Sequence, residues 1–295
     1  MRSMWKDRVL TAAVPMIWGS TYIVTTEMLQ PGYPLTVAML RALPAGLILL
    51  LVVRRLPPAE WLVRIVILGG LNFTLFWAAL FVAAYRLPGG LAATLGASQP
   101  LIVLFLARSM LGTRLQTSAL VAALAGIVGV ALLILGQQTD LDPIGVAAAL
   151  TGAISMGAGT VLTRKWQPPV SALTFAAWQL TAGGLLLLPI ALFFEPGFPM
   201  PSTLNLAGLV WLGLIGAALT YFYWFRGIAR LGPAAVAAFG FLSPLTAVLL
   251  GWAVLGQALS LTQILGATIV ILSVWLAQRA GRHELVSSAH QAARA

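Results

Sequence analysis

Ten continuous apolar runs, each near 20 residues long, decide the solvent in which this chain folds. They cover approximately 10–28, 35–53, 63–84, 90–107, 118–135, 144–163, 171–193, 206–225, 234–255 and 260–277, with Pro, Gly and charge in every gap. A helix of about 20 apolar residues crosses the hydrocarbon core of a bilayer. With 60% hydrophobic and 8% charged residues, the chain has too little polar surface for a water-soluble domain of 295 residues. Transmembrane β-strands would read as short alternating segments, whereas these runs are unbroken and Leu/Ala-rich, which predicts helices. The expected fold class is an all-α integral membrane protein with ten transmembrane helices.

Orientation follows from Lys and Arg. The first run follows Arg2, Lys6 and Arg8 in the manner of a signal peptide, but it continues through Trp18, Tyr22 and Glu27 without a small-residue cleavage pattern, so it reads as a retained span. Placing both termini in the cytoplasm (N-in, C-in) puts 15 of the 17 basic residues inside, leaving Arg86 outside and Arg41 within a span. The net charge of +10 is therefore a topology signal. Nucleic-acid binding would need a basic soluble face, and the sequence offers none. Cysteine is absent, which removes disulfides, thiolate nucleophiles and Cys metal sites.

The chain also contains itself twice. Arg86-Leu87, Gly96-x-x-x-Pro100-Leu101 and Leu111-Gly112-x-x-Leu115 recur 144 positions later as Arg230-Leu231, Gly240-x-x-x-Pro244-Leu245 and Leu255-Gly256-x-x-Leu259. Earlier in each half the displacement is 138, with Leu35-Thr36-x-Ala38 answering Leu173-Thr174-x-Ala176 and Gly46-Leu47 answering Gly184-Leu185. Five spans per half is an odd number, so the second half must enter the membrane inverted, which puts Arg86 and Arg230 on opposite sides. The expected organisation is a first repeat at 1–137, an external linker at 138–143, an inverted second repeat at 144–280 and a polar, mobile cytoplasmic tail at 281–295. Two related halves rocking about a midplane site are the architecture of transport.

The motifs carry a resemblance. Trp18-Gly19-Ser20, Asn72-x-x-x-Phe76, Pro100-Leu101 through Leu111-Gly112, and the counterparts Trp224-Phe225-Arg226, Pro244-Leu245 and Leu255-Gly256 resemble the drug/metabolite transporter superfamily in its EamA-type branch, across residues 8–278. The aromatic-rich spans are similar to bacterial aromatic amino-acid exporters of the YddG type. This resemblance implies export of amino acids, aromatic or otherwise partly apolar, and related metabolites across the cell inner membrane by alternating access. One departure concerns the Glu that usually follows the Gly closing spans 4 and 9: this chain has Thr113 and Gln257 there, and no role of that Glu carries over.

Candidate site residues fall into three sets. Pro100 and Pro244 sit inside spans 4 and 9, where each releases the carbonyl four residues back, at Gly96 and Gly240. With Ser98, Gln99 and Ser243 beside them, these kinks mark either a midplane polar site and gate or a packing device. Trp18 and Tyr22, Phe76 and Trp77, and Tyr221 and Trp224 supply an aromatic wall, or else ordinary core, with Thr21, Asn72, Ser155 and Gln99 at its polar end. Arg41 is the cation inside a span and its repeat-mate is Gln179; it either attracts a substrate carboxylate, snorkels to the outer interface or holds backbone carbonyls between helices. A ladder of small residues at Gly145, Ala149, Ala153 and Gly157 suits close packing of span 6 inside a monomer.

Asp7, Glu27, Glu60, Asp140, Asp142, Glu195 and Glu284 all lie at span ends, loops or termini, and His283 and His290 lie in the tail. Without a midplane carboxylate or imidazole, facilitated uniport is expected, the alternative being a proton-coupled multidrug or metabolite exporter of the same fold. Enzymatic chemistry lacks a dyad and ATP drive lacks a phosphate loop. No metal or cofactor is expected. The expected partners are a small-molecule solute and membrane lipid; the reading from a different class is a receptor-like or structural helix bundle.

Overall fold

A computed structural model describes residues 2–87, 95–134, 142–256 and 258–292. The described chain is helical throughout: α1 (Arg2–Met28), α2 (Pro34–Val53), α3 (Ala59–Gly69), α4 (Phe76–Arg86), α5 (Gln99–Leu111), α6 (Thr117–Ile134), α7 (Pro143–Lys165), α8 (Ala172–Phe194), α9 (Thr203–Val210), α10 (Thr220–Leu231), α11 (Pro233–Phe239), α12 (Leu242–Leu255) and α13 (Leu261–Ala292). A π-helical segment, Gly70–Leu75, joins α3 to α4, and a second, Trp211–Leu219, joins α9 to α10. Among the described residues, eight continuous helices are long and apolar enough to cross a membrane, and the expected runs at 90–107 and 118–135 correspond to the shorter apolar helices Gln99–Leu111 and Thr117–Leu133. Residues 135–141, with most of the expected linker, and Gln257 lie outside the described residues. The backbone of α13 runs on to Ala292, past the point where a mobile tail is expected; no Pro interrupts 281–292.

The sequence writes its own helix ends. Gly112 and Gly256, repeat-mates 144 apart, both close helices with positive φ, 70° and 66°, a conformation that costs glycine nothing. Asp142 caps α7 by accepting from the Ile144 and Gly145 amides at 2.8 and 3.3 Å, and Pro143 occupies the first turn. Spans 4 and 9 are broken. At Ala97-Ser98 and at Gly240-Phe241 the helix gives way to turns held by i→i+3 bonds, Ser98 N to Leu95 O at 3.1 Å and Ser243 N to Gly240 O at 3.0 Å. Each break lies just ahead of a proline that cannot donate to the preceding turn.

Helix contacts recur in matched sets at the repeat displacements. A Cβ on Gly46 of α2 would lie 2.5 Å from the Thr181 nitrogen of α8, and a Cβ on Gly184 of α8 would lie 2.6 Å from the Leu43 Cα of α2; Gly46 and Gly184, like Leu43 and Thr181, are 138 apart. Gly19 of α1 packs against Thr246 and Ala247 of α12, while its mate Gly157 of α7 packs against Ile102 and Val103 of α5, which are the mates of 246 and 247. Small residues let these backbones approach, and dispersion across such seams is what holds helices together in lipid. Ion pairs tie the helix ends: Arg86 to Asp142 at 3.0 Å joins α4 to α7, and Arg226 and Arg230 at 2.8 and 3.0 Å from Asp7 join α10 to α1.

Candidate functional site

The two π-helical segments are where the interior becomes polar. A π-turn shifts the backbone bonding by one residue and leaves a carbonyl without its usual amide. The Gly216 carbonyl collects three side-chain donors: the Arg41 guanidinium at 2.7 Å, the Trp18 indole at 3.2 Å and the Thr220 hydroxyl at 2.8 Å. The residue 144 positions earlier is Asn72. Its amide donates to Gln179 Oε1 at 2.8 Å and Thr163 Oγ1 at 3.2 Å, and the Ser155 hydroxyl donates to the Leu71 carbonyl at 2.7 Å. Arg41 and Gln179 are themselves repeat-mates, and each ties two segments together, Arg41 by donating to a backbone carbonyl and Gln179 by accepting from a side-chain amide.

Around Arg41 the rings close on one another. Its guanidinium stacks 4.9 Å over Trp77; Trp18 lies 5.1 Å from Tyr221 and 4.9 Å from Trp224; and Phe73 reaches Tyr221 at 4.5 Å and Trp77 at 5.4 Å. Trp77, Tyr221 and Trp224 are buried, and the Trp224 indole nitrogen has no acceptor. In this conformation the aromatic wall is packed shut.

Open space lies on either side of the breaks, unequally. A cavity of about 430 Å³ runs along one face of α5, past Pro100, Leu104, Ala107 and Leu111, opposite alanines of α11 and α13. It reaches the surface at the exposed Arg114 and Lys165, beside Arg164, which donates to the Ala229 carbonyl. Its volume falls within the roughly 300–1,000 Å³ of small-molecule sites. Across the same break, among Phe76, Gly96, Gln99 and Ala153, the space shrinks to about 30 Å³. The Gln99 Nε2 atom is buried there without an acceptor, and its Oε1 points toward Gly240.

The family model of EamA-like transporters matches residues 8–135 and 143–278. The chain belongs to the EamA-like transporter family. Protein PecM of Dickeya dadantii (strain 3937) is 44% identical over 266 residues, covering 90% of this chain and 89% of PecM. The uncharacterized inner membrane transporter YedA of Escherichia coli (strain K12) is 29% identical, covering 90% and 88%. A Streptantibioticus cattleyicolor protein named "Probable terminal-alkyne amino-acid exporter" is 27% identical, covering 76% of each chain. A solved crystal structure with 19% identity superposes at a TM-score of 0.79, covering 94% of this chain and 99% of that one, and at this identity it speaks for the fold alone. As an EamA-type protein the chain is a multi-pass inner-membrane transporter of a small-molecule solute, a family role that implies no catalysis.

Within this EamA protein the candidate residues do not form one wall. Trp18, Trp77, Tyr221, Trp224 and Arg41 share the aromatic cluster. Phe76, Gly96 and Gln99 line the small space, and Pro100 the large one. Asn72, 0% exposed, and Ser155 are spent on bonds between helices and present nothing to a solute in this state. Tyr22 is 51% exposed and outside the ring cluster, Thr21 is half-buried, Ser98 folds back onto the Leu95 carbonyl, and Ser243 and Pro244 lie on α12, where the Ser243 carbonyl meets Gly19. Sequence reasoning missed Phe73, Gly216 and Thr220. Extending the 144-residue displacement from Asn72 would have found Gly216, but a bare glycine carries no side-chain signal of its own.

Proposed function

We propose that this protein is an inner-membrane uniporter that exports amino acids, aromatic or otherwise partly apolar, and related metabolites. It works as a monomer, by alternating access between two inverted five-span repeats, 1–137 and 144–280, with both termini in the cytoplasm. The observation that carries this is the one-sided cavity. A solute-sized space extends from the basic face as far as Pro100 of span 4 and Ala238 of span 9, beside the breaks, and the space among Gly96 and Gln99 holds about 30 Å³, room for a water or two. Matched contacts at Gly46 and Gly184, and at Gly19 and Gly157, support halves that exchange roles as the opening changes side. The Streptantibioticus relative, named as a probable amino-acid exporter, supports amino-acid cargo. Uniport is supported by Asp7, the buried carboxylate among the described residues, being held by two arginines rather than placed on a proton path.

Counterflow of labelled amino acids in liposomes containing the purified protein tests the activity. Exchange without a ΔpH is expected, and uphill accumulation only when a ΔpH is imposed would overturn uniport. Topology is tested separately, because the chain has no native cysteine. Arg86→Cys and Arg230→Cys should react with an impermeant thiol reagent from opposite sides of the membrane; labelling from one side would remove the inverted repeat.

A further inference from the structure

Arg41 is 9% exposed, and among the described residues no carboxylate pairs with it. Its guanidinium donates to the neutral Gly216 carbonyl, and its Nε atom is buried without a partner. A cation taken out of water and left without a counter-ion is a large cost in lipid. The repeat supplies the internal control. In the other half the repeat-mate Gln179 joins its helix to Asn72 with no charge at all, accepting from the Asn72 side-chain amide. The equivalent position of the other half thus sits in a neutral tie, and the positive charge is what sets position 41 apart.

The surroundings of Arg41 define what that is. Trp77 lies under the guanidinium, Trp18 donates to the same Gly216 carbonyl, and Tyr221 packs against Trp18. A solute with one carboxylate and an apolar body would meet a cation and flat apolar surfaces at the same point. We propose that Arg41 is the anion-recognition residue of the transport site, exchanging the Gly216 carbonyl for the carboxylate of the solute when the ring cluster opens. This deepens the export reading and rests on it: the cargo must carry a free carboxylate, and an ammonium group is dispensable. The exchange is favoured by a two-pronged contact between opposite charges replacing a single bond to a neutral carbonyl, and opposed by desolvation of the incoming carboxylate. In the closed state that carbonyl screens the cation, so the site is not left bare between cycles.

The test uses the full-length protein in liposomes, with labelled L-tryptophan in counterflow and two competitors: indole-3-propionate, which lacks the amine, and tryptamine, which lacks the carboxylate. Indole-3-propionate should compete about tenfold more effectively than tryptamine, the scale set by one charged contact. Arg41→Gln should raise the half-saturating tryptophan concentration about tenfold or more without changing competition by tryptamine, and Arg41→Lys should restore part of the loss because it keeps the charge but not the fork. Equal competition by the two analogues of the wild type overturns the proposal, and this measurement stands even if Arg41→Gln fails to insert. An Arg41→Gln effect equal on tryptophan and tryptamine also overturns it, returning the residue to a packing role. Flux of tryptophan with either result leaves the export reading standing, whereas absence of flux for every amino acid overturns both.

Discussion

Replacing Gly46 or Gly184 by Ala should weaken the protein by about 1–2 kcal/mol each, and replacing both should cost less than the sum. At Gly46 a new Cβ would stand 2.5 Å from the Thr181 nitrogen and 2.6 Å from its Oγ1; at Gly184 it would stand 2.6 Å from the Leu43 nitrogen and Cα. The obstacles are mostly backbone, so no side chain can swing clear. Ordinary van der Waals contact begins near 3.4 Å, and α2 and α8 must therefore part by roughly 1 Å at their crossing, which forfeits a quarter to a half of the attraction in each seam contact. Overpacking of this kind typically costs about 1–3 kcal/mol. Ala regains roughly 0.5–1 kcal/mol of helix preference over Gly. Once the first Cβ has separated the helices, the second finds room, so the double variant should show a favourable coupling of about 0.5 kcal/mol or more. Unfolding in mixed micelles titrated with SDS reads all three values. Gly70→Ala is the control: its Cβ would meet only Leu186 Cδ1, at 3.7 Å, and stability should hold or rise. Either single variant matching the wild type, or costs that simply add, would refute a shared, two-way seam.

Asn72→Ala strands the buried Gln179 side chain and should cost about 1–3 kcal/mol, while Asn72→Ala with Gln179→Ala should recover part of that loss; a double-mutant cycle with no coupling would refute the tie. At the face carrying Arg86, the Arg86 guanidinium bonded to Asp142, helped by the Ile144 and Gly145 amides, holds the Asp142 carboxyl below its usual range. A depressed folded-state value makes the contribution present above the ordinary carboxylate pKa near 4 and lost as pH falls through the lower folded value. Unfolding midpoints measured from pH 7 to pH 3 should therefore drop less steeply for Asp142→Asn than for the wild type, and parallel curves would count against the pair.

The chain's own repetition made much of this legible. Apolar run length named the bilayer and the places of the spans, Lys and Arg gave an orientation, and the displacement of 144 pointed to Gly96-Pro100 and Gly240-Pro244, where the structure breaks both helices. Gly112 and Gly256 announced helix ends that do adopt positive φ. Less could be read of the site itself. Asn72 and Ser155 have the side chains of a polar pocket, yet in the π-helical segment Gly70–Leu75 Asn72 turns toward Gln179 of α8 and the Leu71 carbonyl takes the Ser155 hydroxyl of α7, so both are buried in ties that depend on partners from other helices. The aromatic residues could be grouped by span, but not by whether their rings faced space or one another.

What the sequence determined by itself are properties that add up along the chain: transfer of about 20 apolar side chains into lipid, charge at the ends of each run, and proline's missing N–H. What the tertiary structure decided is which groups meet across helices. The Arg41 charge became informative only when it was seen to face the Gly216 carbonyl opposite a neutral Gln179–Asn72 counterpart. Such pairings depend on the angle and phase at which helices cross, and those are set jointly by both partners rather than by either segment alone.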